Sequence, residues 1–420
     1  MATLVVQKYG GSSLADADRI KHVARRIARE RATGVSLVVV VSAMGDTTDH
    51  LIEMAARITD EPDPREMDLL LATGEHMSGT LVAMALHAQD VPAISLTGAQ
   101  AGIRTDSAHG RARIANVDPA RVQSELDAGR VVIVAGFQGA TDESHVTGEV
   151  TTLGRGGSDT TAVALAARLG ASRCEIYTDV EGIFTSDPRV VQDARLLPVI
   201  GYEEMLEMAQ HGAQVMQTRA VELGWVNGVE ICVRSTFSDH PGTLIKEDPD
   251  VEQRNKVRGV ALERRVAKLT LVQVPDRPGI ARQVFEPLAE AGINVDMIVQ
   301  NVGHAGFTDL SFTVPETDLA RARRMLDPLV REMGARELTT DSSVAKVSVV
   351  GAGIQNAPGY AARMFGALAD AGVNIEMIST SEIRITCIIA EDQLELAARA
   401  LHTAFKLEQP DSGVLAAAVG

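Results

Sequence analysis

The sequence predicts an α/β protein with a largely parallel sheet between two helical layers (αβα), followed by two smaller repeated units. Strand and helix patterns alternate from residue 3 to about 235, the order that gives parallel strands joined by helices. The core must be aliphatic, because apolar residues make up 45% of the chain and aromatic residues only 3%. Beyond residue 258 the chain repeats itself at a constant offset of 80 residues.

Local patterns predict the individual elements of the larger part. Short apolar runs predict strands at Leu4–Lys8, Leu37–Val41 and Val131–Ala135, and a further strand is predicted at Glu175–Tyr177, which ends in Thr-Asp. Apolar residues three or four positions apart predict helices at Asp16–Arg31, Ser158–Leu169 and Tyr202–Ala209. Glycine or small polar residues follow each strand. Since ligands of such sheets bind beyond the carboxyl ends of the strands, we expect the site at that edge.

The repeat shares turns as well as apolar positions. Residues 278–298 and 358–378 agree at 11 of 21 positions without a gap, including both Pro-Gly pairs and Asn294 with Asn374. Each copy has the order of a βαββαβ unit. Chance similarity between two alanine-rich helices is the alternative, but it does not explain the shared turns. The predicted domains are 1–245, a polar linker at 246–258, and repeated units at 259–341 and 342–420.

Charge and cysteine usage exclude several classes of partner and cofactor. The net charge of −16 repels nucleic acid and anionic membranes, so we expect neither as a partner. The three cysteines, Cys174, Cys232 and Cys387, are far apart and lie in apolar runs. They fit neither a disulfide framework nor a metal cluster, so we expect a cytoplasmic protein with no metal held by a protein cluster. The first residues lead directly into a strand, and we expect no signal peptide.

Two glycine-rich strings are candidate anion sites. The first, Lys8-Tyr9-Gly10-Gly11-Ser12-Ser13, follows the first strand, where glycines let a phosphate approach backbone N–H groups and Lys8 adds a positive charge. A plain strand-to-helix turn is the alternative, but it does not require the lysine. The second string, residues 151–162, contains Arg155 between glycines, and a guanidinium binds a carboxylate in bidentate fashion. A capped helix explains its Ser158 and glycines but not the arginine.

Three further strings are weaker signals when each is taken alone. Glu75 lies in a mostly apolar helical stretch, so its carboxylate should be paired, for example with an ammonium group. A glutamate on a helix surface is the alternative. Residues 178–189 bring acidic and hydroxyl groups after a strand, which suits a nucleotide but also an ordinary polar loop. Residues 42–48 can orient a ligand or merely cap a helix.

In order and spacing, these strings together resemble the aspartokinase branch of the amino acid kinase family. The resemblance covers essentially the whole chain, and the duplicated unit resembles the tandem ACT domains, ferredoxin-like units that sense lysine and threonine in shorter bacterial members. It implies phosphoryl transfer from ATP with Mg²⁺ to the side-chain carboxylate of L-aspartate. It implies regulation by lysine, threonine or both. It also implies either a homo-oligomer formed through the ACT units or a heterotetramer with a shorter ACT-only subunit.

The resemblance also implies a role for individual residues. The catalytic residues would be Lys8 and Asp159. The aspartate-binding residues would be Ser42, Thr47, Glu75, Arg155, Gly156, Gly157 and Ser158. The ATP-binding residues would be Lys8, Tyr9, Gly10, Gly11, Thr178, Asp179, Ile183, Ser186, Asp187, Arg189 and Gln214. The effector-binding residues would be Asp276, Gly279, Ala281, Asn294, Gln300, Asn374 and Ile375.

One position departs from the family pattern. Aspartokinases usually carry a basic residue in the segment that reads Gly212-Ala213-Gln214-Val215 here, and Gln214 lacks the charge. Two alternatives stay open, and Gln214 favours only the second of them. One is another amino acid kinase acting on glutamate, acetylglutamate or a nucleotide, and the other is a non-catalytic amino-acid-binding regulator.

Overall fold

The computed structural model describes residues 3–142, 148–212, 215–247, 256–301, 306–354 and 358–410. They form two compact units. The first contains the described residues of Met1–Ile183, Leu196–Ala209 and Gln214–Pro249. The second contains those of Phe184–Arg195, Gln210–Ala213 and Asp250–Gly420. The predicted position Gln214 lies outside the described residues.

The first unit contains twelve strands and seven helices in its described part. Its strands are β1 (Leu4–Tyr9), β2 (Ser36–Val41), β3 (Ala93–Leu96), β4 (Ile103–Thr105), β5 (Ile114–Val117), β6 (Val131–Ala135), β7 (Gln138–Thr141), β8 (Val150–Thr152), β9 (Arg173–Thr178), β10 (Val199–Gly201), β11 (Ile231–Ser235) and β12 (Thr243–Lys246). Its helices are α1 (Ala17–Arg31), α2 (Thr47–Ala56), α3 (Pro64–His87), α4 (Ala120–Asp127), α5 (Gly157–Leu169), α6 (Tyr202–Gln210) and α7 (Thr218–Asn227).

The main sheet of this unit has the strand order β10-β12-β11-β9-β1-β2-β6-β3. Its neighbouring strands are parallel except for β11 and β12, which are antiparallel. A second sheet, with the order β5-β4-β7-β8, combines parallel and antiparallel pairs. Since β1 and β2 are central in the main sheet, the turns that follow them lie in the middle of its carboxyl edge.

Alternating side chains distribute the core between the two faces of the main sheet. Val5, Val39 and Ile133 pack on one face with residues of α1 and α3. The intervening residues point to the opposite face, where α5 contacts β1, β2 and β9. Helix α1 begins where its sequence predicts, because the Asp16 carboxylate accepts from the N–H groups of Asp18 and Arg19.

Helix α3 is long and apolar enough to cross a membrane by length and composition alone. Its contacts are those of a core helix, since it packs against β3 and β6 and buries Asp68 and Glu75. One such helix is weak evidence for a membrane span, and these buried carboxylates weaken it further.

The second unit contains six strands and four helices in its described part. Its strands are β13 (Gly259–Pro275), β14 (Ile298–Gln300), β15 (Phe307–Pro315), β16 (Glu337–Val350), β17 (Met377–Ser381) and β18 (Arg384–Ala390). Its helices are α8 (Ile280–Glu290), α9 (Leu319–Met333), α10 (Tyr360–Asp370) and α11 (Leu394–Ala404). The strands form one sheet with the order β14-β15-β13-β16-β18-β17.

The predicted fold class is confirmed in both parts of the chain, but two boundaries differ from the sequence-based division. Val257, Val260 and Leu262 pack in the core that contains α10 and α11, so the segment before residue 264 completes the second repeat. The residues that follow in β13 begin the core of the first repeat. Phe184–Arg195 and the described residues of Gln210–Ala213 also cluster with this unit, although the predicted first domain runs continuously from 1 to 245.

Candidate active site

The Lys8 ammonium lies at the turn that follows β1 and is paired with a carboxylate of α5. Its Nζ is 2.7 Å from Asp159 Oδ1, and both side chains are largely buried. A Cβ placed on Gly10 would lie 3.4 Å from the same Nζ, so the ammonium is next to the glycine turn. Asp159 is in the first turn of α5, where the helix dipole favours an anion. A shielded positive charge is thus held beside backbone N–H groups at the sheet edge.

Glu75 lies on α3 against the turn that follows β2. Its Oε1 accepts from the Ala43 N–H at 3.0 Å, whereas its Oε2 is buried without a partner among the described residues. Burial raises the pKa of Glu75 to about 7, although the Ala43 N–H opposes this shift. A buried carboxylate with one unsatisfied oxygen is suited to bind an ammonium group.

Close backbone packing joins the turns of β1 and β2 to α3. A Cβ on Gly74 would lie 2.8 Å from the Ala43 Cβ, so only glycine lets α3 approach this closely. The Ser78 hydroxyl donates to the Ser42 carbonyl at 2.7 Å, and the Gly45 N–H donates to the Gly11 carbonyl at 3.0 Å. The turn that follows β2 therefore contacts both the Glu75 carboxylate and the turn that follows β1, which carries Lys8.

The start of α5 is packed against the end of β6. A Cβ on Gly136 would lie 2.8 Å from the Ser158 Oγ, so a glycine at this position leaves room for the serine hydroxyl to lie close to the sheet. Phe137 has a φ of 66°, an uncommon left-handed conformation for a bulky residue, and its carbonyl accepts from the Leu153 N–H at 2.8 Å. Such strain is often found at functional sites, so Phe137, which the sequence interpretation did not single out, is a further candidate site residue.

Arg155 is exposed at the tip of the segment that joins β8 to α5. Gly156 is left-handed with a φ of 68°, and Gly157 begins α5. The structure therefore brings Arg155, Ser158 and Asp159 to one short segment, with the guanidinium accessible to a ligand.

Thr47, half-buried at the start of α2, donates its hydroxyl to the Met44 carbonyl at 2.6 Å.

Thr236, which the sequence interpretation also missed, connects the Lys8 turn to β9. Its Oγ1 is 2.6 Å from the buried Ser13 Oγ, and its N–H donates to the Thr178 carbonyl at 2.9 Å. His22 and Arg26 of α1 both donate to the Thr236 carbonyl. No sequence motif predicts this residue, because its partners are 58 to 223 positions away.

The predicted nucleotide residues are divided between the two units. Tyr9 is fully buried and stacks on Tyr177, so any contact with a nucleotide would come from its backbone. The Ile183 side chain is buried, while Thr178 and Asp179 lie at the end of β9 with a hydrogen bond of 3.1 Å between their side chains. Ser186, Asp187 and Arg189 belong to the second unit.

The loop with Ser186, Asp187 and Arg189 is anchored within the second unit. The Arg189 guanidinium holds the pKa of Asp187 below its usual range through a hydrogen bond. Thr185 Oγ1 is 2.9 Å from His402 Nε2 on α11, and the Thr185 carbonyl accepts from the Val260 N–H at 2.8 Å.

The two repeats present their predicted effector residues in equivalent environments. Asn294 and Asn374 are exposed, and residues 291–300 and 371–380 have the same order of buried and exposed positions. Gly279 precedes α8 with a φ of 95° and Gly359 precedes α10 with a φ of 100°. The other predicted positions of the first repeat are also exposed, namely Asp276, Ala281 and Gln300. Ile375 is half-buried beside the second core.

Three potential metal ligands of the second unit, His211, Glu263 and Asp296, lie within 4.8 Å of one another. The Lys346 ammonium is 3.2 Å from the Glu263 carboxylate and also pairs with Asp296. One ammonium already pairs with both carboxylates, so the cluster has the character of an ion-pair network.

Comparison with known proteins places this geometry in a family. The sequence profile of the amino acid kinase family matches residues 3–235, and ACT-domain profiles match residues 268–330 and 347–405. An aspartate kinase of Stutzerimonas stutzeri is 50% identical over 408 residues, covering 97% of this chain and 98% of that protein. The chain belongs to the aspartate kinases of the amino acid kinase family. The resemblance inferred from the motifs is thereby confirmed.

Solved structures support the same assignment. The structure of E. coli aspartokinase III in complex with aspartate and ADP (R-state) has a TM-score of 0.78 and 27% identity. The structure of that enzyme in complex with lysine and aspartate (T-state) has a TM-score of 0.74 and 27% identity. Each comparison covers 96% of this chain and 99% of the other.

Proposed function

We propose that this chain transfers the γ-phosphoryl group of ATP to the side-chain carboxylate of L-aspartate, giving ADP and 4-phospho-L-aspartate. The observation that carries the proposal is the pairing of Lys8 with Asp159 beside the Gly10 turn, next to the buried Glu75 carboxylate. Such a product would be the first intermediate of lysine, threonine and methionine biosynthesis. Membership in the aspartate kinases supports the choice of acceptor.

The proposed reaction needs charge neutralisation more than proton transfer. A side-chain carboxylate with an ordinary pKa of about 3.9 is already ionised at neutral pH, so no general base is needed. The difficulty is to bring this anion to a triphosphate. Lys8 and the N–H groups of the glycine turn would balance charge on the transferred group, and ATP would enter as its Mg²⁺ complex.

The aspartate would be oriented by groups of opposite charge. Glu75 would bind the α-ammonium group through its unsatisfied Oε2, and Arg155 would bind the α-carboxylate. Ser42, Thr47 and Ser158 would complete the pocket, with Gly156 and Gly157 allowing close approach. Thr178, Asp179, Ser186, Asp187 and Arg189 are proposed to contact the nucleotide.

Rates with different acceptors test the proposal against the other amino acid kinases. ADP release is measured with aspartate, glutamate and acetylglutamate, and the acyl phosphate is trapped with hydroxylamine. We expect kcat/KM for aspartate to exceed that for glutamate by about 10- to 200-fold, the usual discrimination for one methylene group. Faster reaction with glutamate would favour another amino acid kinase. Binding of ATP and aspartate without turnover would indicate a non-catalytic regulator.

Lysine, threonine or both are proposed to inhibit by binding at the ACT repeats. The Asp276–Gly279 turn and the N-terminus of α8 suit an amino acid, because the turn N–H groups can bind a carboxylate and Asp276 an ammonium group. Asn374 and Ile375 would come from the second repeat of another copy. The lysine complex of the E. coli relative supports an effector of this class.

We expect the Asn294→Ala variant to raise the inhibitory concentration of the effector by about tenfold, because one hydrogen bond to a charged ligand group is lost. Its kcat without effector should stay near the wild-type value. Inhibition curves and calorimetric titrations with each amino acid, alone and together, measure both quantities. The absence of binding and inhibition under all of these conditions would contradict the proposed regulation.

Association through the ACT repeats is proposed on the basis of exposed sheet edges. Strands β14 and β17 are the two edges of the six-stranded sheet, and their Ile298 and Ile378 are exposed by 51% and 43%. Such edges can pair with another chain. A homo-oligomer and a heterotetramer with a shorter ACT-only subunit both fit this arrangement.

We propose that the enzyme is cytoplasmic, where its three free thiols would stay reduced.

A further inference from the structure

Asp68 is a fully buried carboxylate that the proposed reaction does not use. It lies on α3 with 0% exposure, seven residues before Glu75. Two turns of helix separate these residues, so their Cα atoms are about 10 Å apart along the helix axis. An ionised carboxylate is costly to bury unless hydrogen bonds compensate for the lost water. The identity of its donors therefore indicates what the residue does.

Three donors from two other segments converge on Asp68. His109 Nδ1 donates to Oδ2 at 2.7 Å, and the Gly110 N–H lies 3.0 and 3.1 Å from the two oxygens. The Thr152 hydroxyl donates to Oδ1. His109 and Gly110 belong to the loop between β4 and β5, whereas Thr152 is the last residue of β8. We call these four residues, Asp68, His109, Gly110 and Thr152, the Asp68 clamp.

Thr152 of the clamp is followed directly by residues 153–156, which join β8 to α5 and which we call the Arg155 segment. The N–H of Leu153 donates to the carbonyl of the strained Phe137. The Leu153 carbonyl accepts from Arg219 Nη1 at 2.7 Å. Arg219 Nη2 also donates to the Ala112 carbonyl at 3.2 Å, so the β4–β5 loop and the Arg155 segment share this anchor. The clamp therefore connects the helix that carries Glu75 to the segment that carries Arg155.

We propose that Asp68 is a positioning residue that fixes the Arg155 segment relative to Glu75 and so sets the fit of the aspartate backbone groups. The inference rests on the proposed function, in which those two residues bind the α-carboxylate and the α-ammonium group. Asp68 does not touch the substrate in this scheme. It acts through Thr152 and the β4–β5 loop, and a shift of about 1 Å between the two charged groups is enough to impair binding.

Neighbouring threonines of β8 provide a matched test. Thr152→Val removes only the hydroxyl that donates to Asp68, and Thr152→Ser retains it. Thr151→Val is the control, because Thr151 is equally buried and its hydroxyl bonds to Thr105 Oγ1 at 2.6 Å instead. We expect Thr152→Val to raise KM for aspartate by about tenfold with KM for ATP changed by less than about twofold. Thr152→Ser and Thr151→Val should both keep KM for aspartate near the wild-type value.

A second readout does not depend on activity. Hydrogen exchange of the full-length chain is compared between wild type and Asp68→Asn, with melting temperatures recorded for every variant. We expect faster exchange of the amides in 106–113 and 152–157, and unchanged exchange in α1. Unchanged exchange in both segments, or a Thr152→Val enzyme with wild-type KM for aspartate, would overturn the clamp. A wild-type chain inactive towards aspartate would instead refute the proposed function, while the exchange experiment would still decide whether the clamp holds the segment.

Discussion

Replacing Lys8 with alanine is expected to lower kcat by about 10²- to 10³-fold while changing KM for aspartate by less than about fivefold. The Lys8 ammonium is buried beside the Gly10 turn, where it would face negative charge on the transferred phosphoryl group. Its contribution would be greatest in the transition state, so the loss should appear in kcat. Steady-state rates at varied aspartate and saturating ATP measure the separation between kcat and KM.

The control must separate catalysis from folding. Without Lys8 the Asp159 carboxylate would lose its ion-pair partner in a largely buried position, and breaking such a pair costs about 3–5 kcal/mol of unfolding free energy. The double variant Lys8→Met, Asp159→Asn removes both charges and should regain most of the melting temperature, but not the rate. A folded Lys8→Ala enzyme with kcat within about threefold of wild type would contradict the catalytic assignment.

The sequence predicts the parts of this site that lie on one continuous segment. The Lys8 turn, the Gly-rich string with Arg155 and the start of α5 can each be recognised because their glycines and charged residues are adjacent along the chain. The strands β1, β2 and β6 are equally local, since each is a short run rich in the aliphatic residues that parallel sheets bury on both faces.

Residues whose function depends on distant partners could not be predicted in this way. Asp68 reads as one acid in a helix, and only the fold brings Gly110 and Thr152 to it from 42 and 84 positions away. Phe137 has an ordinary side chain, and its unusual φ is visible only in the backbone. The pairing of residues 259–263 with the end of β16 likewise joins positions more than 80 residues apart, so the repeat boundary could not be placed from the local pattern.

Glu75→Gln is expected to raise KM for aspartate by about 10- to 100-fold, the usual worth of a hydrogen bond to a charged group, while KM for ATP stays within about threefold. The glutamine keeps the size of the side chain and can still accept from the Ala43 N–H. It lacks the negative charge that the buried Oε2 would present to the substrate ammonium. Steady-state kinetics with each substrate varied in turn test this expectation, with Glu53→Gln on neighbouring exposed α2 as the matched control.

The pH dependence of the same variant identifies the charge as the cause. Burial raises the pKa of Glu75 to about 7, so in the wild type KM for aspartate should rise as the pH falls from about 8 to about 6, whereas in Glu75→Gln it should not. Because the folded-state pKa lies above the ordinary value of 4.5, this group's stabilising contribution is present below that value and is lost as the pH rises through about 7. The glutamine variant should therefore melt no lower than wild type at about pH 8, although it binds aspartate less well. A wild-type KM that does not vary with pH, or a variant that loses stability and affinity together, would mean that Glu75 supports the fold and does not bind the substrate.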